Sequence, residues 1–320
     1  MPDDGATMAS YASATEQQLW RAAIKWPMYS VAVMPGLLAA GWLLGSGMPV
    51  RLTQLLGFLV AAVLLLLWEN FSNDFFDAET GVDSGVKPHS LVTLLGSRST
   101  VGWLSLFALI AGLLLIVVLA LRSSLAVIPL ILLCCGIGYA YQGPPLRLGY
   151  LGLGEPLCWL AFGPLATAAA LLVLSYPEYQ AAIPWENAVI LSAGPALATT
   201  LVLFCSHFHQ ADADAVHGKQ SPIVRLGTTQ AAALVPWFVA TILCLEWLPV
   251  ICGNWPTTSL LGGLGLPAAS SLICLLRYHH NQPDRVSGSK FLALRFQTLN
   301  GLGLALGLAL KASAINAGPG

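Results

Sequence analysis

Two short acidic stretches hold the residues best suited to chemistry. The first reads Glu69-Asn70-Phe71-Ser72-Asn73-Asp74-Phe75-Phe76-Asp77-Ala78-Glu79-Thr80-Gly81-Val82-Asp83. Asp74 and Asp77 are three apart, and Asn73 and Asp77 four apart. Those spacings put the oxygens on one helical face. Carboxylate and amide oxygens suit hard divalent cations, and Mg²⁺ takes one or two carboxylates, substrate phosphates and several waters. The second stretch reads His207-Phe208-His209-Gln210-Ala211-Asp212-Ala213-Asp214-Ala215-Val216-His217-Gly218-Lys219-Gln220-Ser221-Pro222. Asp212 and Asp214 add two carboxylates, and Lys219 and Arg225 follow. Acids and cations together suit a metal–diphosphate complex: carboxylates hold the metal while cations meet the remaining phosphate charge.

Both stretches would be unremarkable as solvated turns if they stood alone. Together they take seven of the 15 carboxylates of the chain, namely Glu69, Asp74, Asp77, Glu79, Asp83, Asp212 and Asp214. Zinc is a poorer fit. His207 and His209 are two apart and would diverge on a helix, and there is no HExxH. A third segment, Tyr139–Glu155, carries Gly143-Pro144-Pro145 and three further glycines, the mark of a tight turn. Arg147 lies in it, within reach of a phosphate. Tyr139 and Tyr141 suit either the wall of a site or interfacial anchoring. Lys87 and Arg98 are further cations near the first stretch.

These residues need a scaffold, and composition says what kind. Of 320 residues, 56% are hydrophobic and only 9% are charged, against about 25% charged in soluble domains. Lipid must face much of the surface. The apolar runs do not alternate, so they read as helices, each needing about 20 residues to span. The expected fold is all-α and polytopic, with nine spans near 23–45, 52–72, 101–121, 124–142, 154–175, 186–207, 230–249, 259–278 and 291–311. Prolines 236, 249, 256 and 267 interrupt the seventh and eighth. The expected organisation is one membrane domain over 21–312, with disordered tails at 1–20 and 313–320. The seven cysteines lie in or beside apolar spans without a CxxC pair and read as small buried side chains.

Nine spans sort Lys and Arg strongly. Eleven (Arg21, Lys25, Lys87, Arg98, Arg147, Lys219, Arg225, Arg277, Arg285, Lys290 and Arg295) fall on the side of the N-terminus, against Arg51, Arg122 and Lys311 on the other. The positive-inside rule then puts the N-terminus and both acidic stretches on the cytoplasmic face of an integral membrane protein. A net charge of −1 offers no footprint for nucleic acid.

Taken together, these segments resemble the UbiA superfamily of intramembrane prenyltransferases. Asn73-Asp74-x-x-Asp77-x-x-x-Gly81-x-Asp83 and the Tyr141–Glu155 turn are similar to the menaquinone and phylloquinone branch. The His207–Gly227 stretch, with His-Phe-His-Gln and Gly-Lys-Gln-Ser-Pro-Ile-Val-Arg-Leu-Gly, is similar to its cyanobacterial and plastid members. The resemblance implies nine helices around a central cavity and Mg²⁺ as cofactor. Its implied substrates are phytyl or another prenyl diphosphate and 1,4-dihydroxy-2-naphthoate. It implies Asp74, Asp77, Asp212 and Asp214 as catalytic carboxylates, which with Asn73 hold metal. It implies Lys219, Arg225, Arg147 and Lys87 as diphosphate ligands, and Tyr139, Tyr141, Phe71, Phe75 or Trp159 beside the allylic cation. Gln210 and His209 stand where bacterial menaquinone enzymes carry Asp and Arg, so the second metal site would rest on Asp212 and Asp214. Two other readings remain at this stage. One is a family member with another acceptor, such as homogentisate. The other is a transporter, which would place ionisable residues mid-membrane rather than at one interface.

Overall fold

A computed structural model describes residues 16–24, 26–80, 89–175 and 182–310. Among them every regular element is helical, as expected for a polytopic membrane protein. We number the helices α1 (Glu16–Ile24), α2 (Tyr29–Gly45), α3 (Leu52–Thr80), α4 (Leu91–Leu95), α5 (Arg98–Leu121), α6 (Val127–Gln142), α7 (Gly154–Leu174) and α8 (Trp185–Ser206). They continue as α9 (Ala211–Val216), α10 (Pro222–Leu226), α11 (Thr228–Ile251), α12 (Leu266–His279), α13 (Pro283–Val286) and α14 (Ser289–Ala309). Each expected span falls on an apolar helix. Seven are long enough to cross a membrane, while α2 and α6 are shorter, at 17 and 16 residues.

The prolines act differently in the two interrupted spans. α11 keeps Pro236 and Pro249 inside one continuous helix. The eighth span is composite: a 3-10 helix, Thr257–Gly265, leads into α12. Pro267 sits in the first turn of α12, where a missing N–H costs nothing.

Glycines let helices approach closely where lipid supplies no hydrophobic drive. A Cβ on Gly41 of α2 would collide with the Ala305 carbonyl of α14, and one on Gly45 with that of Leu308. α14 also lies along the 3-10 helix, where Gly303 and Gly307 meet the carbonyls of Leu261 and Thr258.

α7 shapes the interior. It kinks at a π-turn over Ala161–Leu165, where Gly163 leaves helical geometry (φ −100°, ψ −111°) and Pro164 follows. Beyond the kink, Thr167–Leu174 is buried on every face and packs against α2 and α6. Before the kink, Gly154–Leu160 lies along α8. The helices are packed tightly around α7 beyond the kink and border a cavity around and before it; π-turns are frequent at functional sites.

Candidate active site

The cavity holds about 1810 Å³ and is bordered by α2, α3, α6, α7, α8 and the start of α14. Its inner part is apolar, with Ala62, Leu65, Ile131, Ala161, Phe162 and Ala166 on the wall. Its mouth is polar. α3 contributes Glu69, Asn70, Asn73 and Asp77, and α6 adds Tyr141 and Gln142. Facing them are His207, His209, Gln210 and Lys219, with Asp284 and Lys290 from the α13–α14 segment and His89.

The acidic end of α3 is a continuation of the spanning helix and not a loop. Glu69, Asn73 and Asp77 recur every four residues and so share the cavity face. Asn73 Nδ2 donates to Asp77 Oδ2 at 2.8 Å. Spending the amide nitrogen this way leaves Asn73 Oδ1 as the atom able to ligate. Gln142 Nε2 donates to the Glu69 carbonyl at 3.1 Å and ties α6 to α3 at this level.

A buried polar chain stands behind the opposite wall. Lys219 Nζ is 3.4 Å from Asp214 Oδ1, and His207 Nδ1 is 3.3 Å from Asp214 Oδ2. His207 Nε2 reaches toward Glu155 Oε1 at 3.9 Å. Neither Glu155 oxygen has a hydrogen-bond partner among the described residues. Asp214 is 1% exposed, so its two cationic or polar neighbours are what make its burial tolerable.

Residues 32–297 match the UbiA prenyltransferase family. The chain belongs to that family and is a prenyltransferase. It is 40% identical over 311 residues to 2-carboxy-1,4-naphthoquinone phytyltransferase of Synechocystis sp., covering 96% of this chain and 98% of that one. It is 37% identical over 305 residues to the chloroplastic 2-carboxy-1,4-naphthoquinone phytyltransferase of Arabidopsis thaliana, covering 91% and 77%. Among solved structures, it shares its fold with a UbiA homolog from Archaeoglobus fulgidus bound to DMAPP and Mg²⁺. The TM-score is 0.55 at 13% identity, covering 90% of this chain and 99% of that one.

In this UbiA-family chain the expected site residues part company. Asn73, Asp77, Lys219 and Tyr141 line the cavity. Asp74 does not. It points about 100° away from Asn73 around the helix, is 2% exposed, and its Oδ2 accepts the Leu91 N–H of α4 at 3.0 Å. The expectation that Asp74 shares a face with Asn73 fails because adjacent helical residues diverge. Asp212 is exposed and off the cavity wall, and Asp214 sits behind Lys219. Lys87 and Asp83 lie outside the described residues.

The two arginines are spoken for elsewhere. Arg225 Nη2 donates to the Leu151 carbonyl at 2.6 Å and anchors α10 to the glycine-rich turn. Arg147 approaches Glu79 Oε2 at 3.7 Å, and Arg98 pairs with the same oxygen at 2.9 Å. Neither Arg147 nor Arg225 borders the cavity. Tyr139 is exposed, and its hydroxyl donates to the Pro144 carbonyl. Phe71 and Phe75 pack beside α4 and α5, and Trp159 Nε1 donates to the Ala193 carbonyl of α8. The aromatic groups that do border the cavity include Trp68, Tyr141 and Phe162. Tyr141 is pinned there because the turn folds onto it: a Cβ on Gly149 or Gly154 would stand 2.7 or 2.8 Å from its ring.

Sequence reasoning missed Asn70, the Glu155–His207 contact and the α13–α14 wall. Glu155, an acid opening an apolar span, was the one readable signal among these.

Proposed function

We propose that the chain transfers a phytyl group from its diphosphate to 1,4-dihydroxy-2-naphthoate, with loss of CO₂, in quinone biosynthesis. One observation carries the reading. Glu69, Asn73 and Asp77 occupy one wall of the cavity mouth, Gln210 and Lys219 the facing wall, and an apolar cavity lies beneath them. The names of the two phytyltransferase relatives support the same donor and a naphthoquinone acceptor.

The donor set fits Mg²⁺. Among the described residues no three His, Cys, Asp or Glu side chains form a ready-made metal cluster. That suits an ion which takes few protein ligands and fills its shell with phosphate and water. Asn73 Oδ1 and the Asp77 carboxylate, with Glu69 beside them, would hold it. Bound Mg²⁺ would supply charge neutralisation of the departing diphosphate.

Lys219, oriented by Asp214, binds a phosphate oxygen. Heterolysis of the C1–O bond sends the electron pair out with the diphosphate and leaves an allylic cation. The faces of Tyr141 and Trp68 shield that cation, and the apolar wall keeps water away from it. The acceptor carbon bearing the carboxylate attacks and forms the new C–C bond. The C–CO₂ bond then breaks, and its electrons restore the aromatic ring. This step needs an electron-rich ring, so the dihydroxy form reacts. The corresponding quinone holds two fewer electrons and would not attack a cation. The Lys and Arg distribution supports a mouth that opens on the cytoplasmic face.

The test is an assay of the purified full chain with phytyl diphosphate, 1,4-dihydroxy-2-naphthoate and Mg²⁺. Stoichiometric CO₂ and phytylated naphthoquinol are expected, and both should vanish with EDTA and return with Mg²⁺. Homogentisate replacing the naphthoate at equal rate, or equal turnover by wild type and Asp77→Ala, would overturn it.

A further inference from the structure

The cavity has a defined floor. Phe58 on α3, Ile116 on α5 and Ile131 on α6 border its inner end. All three are buried and belong to a packed cluster that continues with Leu43, Leu119 and Leu171, none of which touches the cavity. The Phe58 ring is held in place from behind: a Cβ on Gly36 of α2 would stand 3.0 Å from its Cδ1.

The depth of this space can be read along α3. Phe58 and Asn73 lie about four turns apart, or about 22 Å at about 1.5 Å per residue. An extended hydrocarbon chain advances about 1.25 Å per C–C bond of about 1.5 Å. The sixteen-carbon main chain of a four-isoprene tail is then about 19 Å long, and that of an eight-isoprene tail about 39 Å. The first fits between the polar mouth and the floor. The second does not, unless it folds back or leaves the cavity.

We propose that Phe58, backed by Ile116 and Ile131, is the specificity-determining floor that sets the longest prenyl tail this enzyme accepts, with four isoprene units as the limit. This rests on the prenyl-transfer reading above and adds the residue that selects the donor. Phe58 is a positioning residue here, remote from the reacting atoms, so its replacement should alter donor choice more than acceptor use.

The experiment offers the full chain, in lipid, a mixture of allylic diphosphates of two, three, four and eight isoprene units, with Mg²⁺ and 1,4-dihydroxy-2-naphthoate. Products are quantified by mass. Wild type should make about tenfold less eight-unit than four-unit product, and Phe58→Ala should narrow that ratio about fivefold or more, with an unchanged acceptor KM. Phe58→Leu removes less volume and should move the ratio the same way, so it carries the test if Phe58→Ala does not fold. Gly36→Ala would set a Cβ 2.9 Å from Leu59 Cδ2 and 3.0 Å from Phe58 Cδ1, and, if the ring is what yields, should change the ratio of three-unit to four-unit product. Active Phe58 variants with the wild-type product profile would overturn the proposal, as would a wild type that uses the eight-unit donor as well as the four-unit one. A wild type that transfers no donor at all would instead sink the prenyl-transfer reading.

Discussion

Asn73 and Asp77 are joined by a 2.8 Å hydrogen bond one helical turn apart, on the face of α3 that borders the cavity. Asp74, between them in sequence, faces α4 and receives the Leu91 N–H. The two aspartates should therefore fail differently when replaced. Asp77→Asn keeps size and loses charge, and should lower kcat by about 10²–10³-fold with little change in thermal stability. Asp74→Asn keeps an acceptor for Leu91 and should remain active. Asp74→Ala leaves a buried N–H unpaired and should cost about 1–3 kcal/mol of stability. Steady-state kinetics beside thermal unfolding separates these outcomes. An Asp74→Asn variant as inactive as Asp77→Asn would show that Asp74 turns toward the ligand.

Lys219 is the cation of the second stretch that reaches the cavity, and Asp214 fixes it at 3.4 Å. Lys219→Ala should raise the KM for the prenyl diphosphate about tenfold or more and leave the acceptor KM near its original value. Arg225→Ala should instead loosen the contact between α10 and the glycine-rich turn, seen as earlier unfolding with a smaller effect on donor KM. The comparison is a donor titration at saturating acceptor for both variants. A larger donor effect for Arg225 than for Lys219 would reverse these roles.

Much of the architecture was legible because lipid imposes one rule on every span. Apolar length located seven helices long enough to span and the two shorter apolar helices α2 and α6, and charge-poor runs left few alternatives. The site was legible in type but not in direction. The spacing of Asn73 and Asp77 identified a shared face, but spacing alone could not show that Asp74, about 100° round the helix from Asn73, turns to the edge of that face and meets α4 instead of the cavity. Arg147 and Arg225 looked like phosphate ligands because sequence shows charge and not its partner. Here the partners are Glu79 and a backbone carbonyl. The His207–Glu155 contact joins residues on two spans, and no local pattern announces it. Glu246 was hidden for the opposite reason: one acid barely marks a 24-residue apolar helix.

The α2–α14 contact makes a prediction about the frame that holds the cavity. Gly41 and Gly45 are spaced so that both meet carbonyls of α14. Gly41→Val would drive Cβ into the Ala305 backbone, which cannot yield as a side-chain end would. We expect a loss of at least about 1–3 kcal/mol, read as a lower unfolding midpoint in detergent. Gly136 meets nothing within 4 Å, so Gly136→Ala is the control and should be neutral or slightly stabilising. Equal midpoints for Gly41→Val and wild type would mean that the helices separate more easily than this contact implies.

Glu246 is fully buried on α11, away from the cavity, and its Oε2 accepts the Asn300 Nδ2 of α14 at 2.7 Å. Asn300 Nδ2 also donates to the Gly262 carbonyl at 3.1 Å, so the pair ties α11, α14 and the 3-10 helix together. Glycines on either side leave the room: a Cβ on Gly194 would stand 2.7 Å from Glu246 Cγ, and one on Gly262 2.8 Å from Oε2. What Asn300 requires is an acceptor of this length, not a charge. Glu246→Gln supplies one and should fold and turn over much like wild type. Glu246→Ala removes the acceptor and opens a cavity, and should cost about 2–4 kcal/mol. Interhelical hydrogen bonds in membranes are often worth less than about 1 kcal/mol, so most of that loss should come from the missing volume. Glu246→Leu, which fills volume without an acceptor, should then recover part of the stability lost in Glu246→Ala. Unfolding midpoints of the three variants decide the point, and a Glu246→Gln protein as unstable as Glu246→Ala would show that the carboxyl group itself is required.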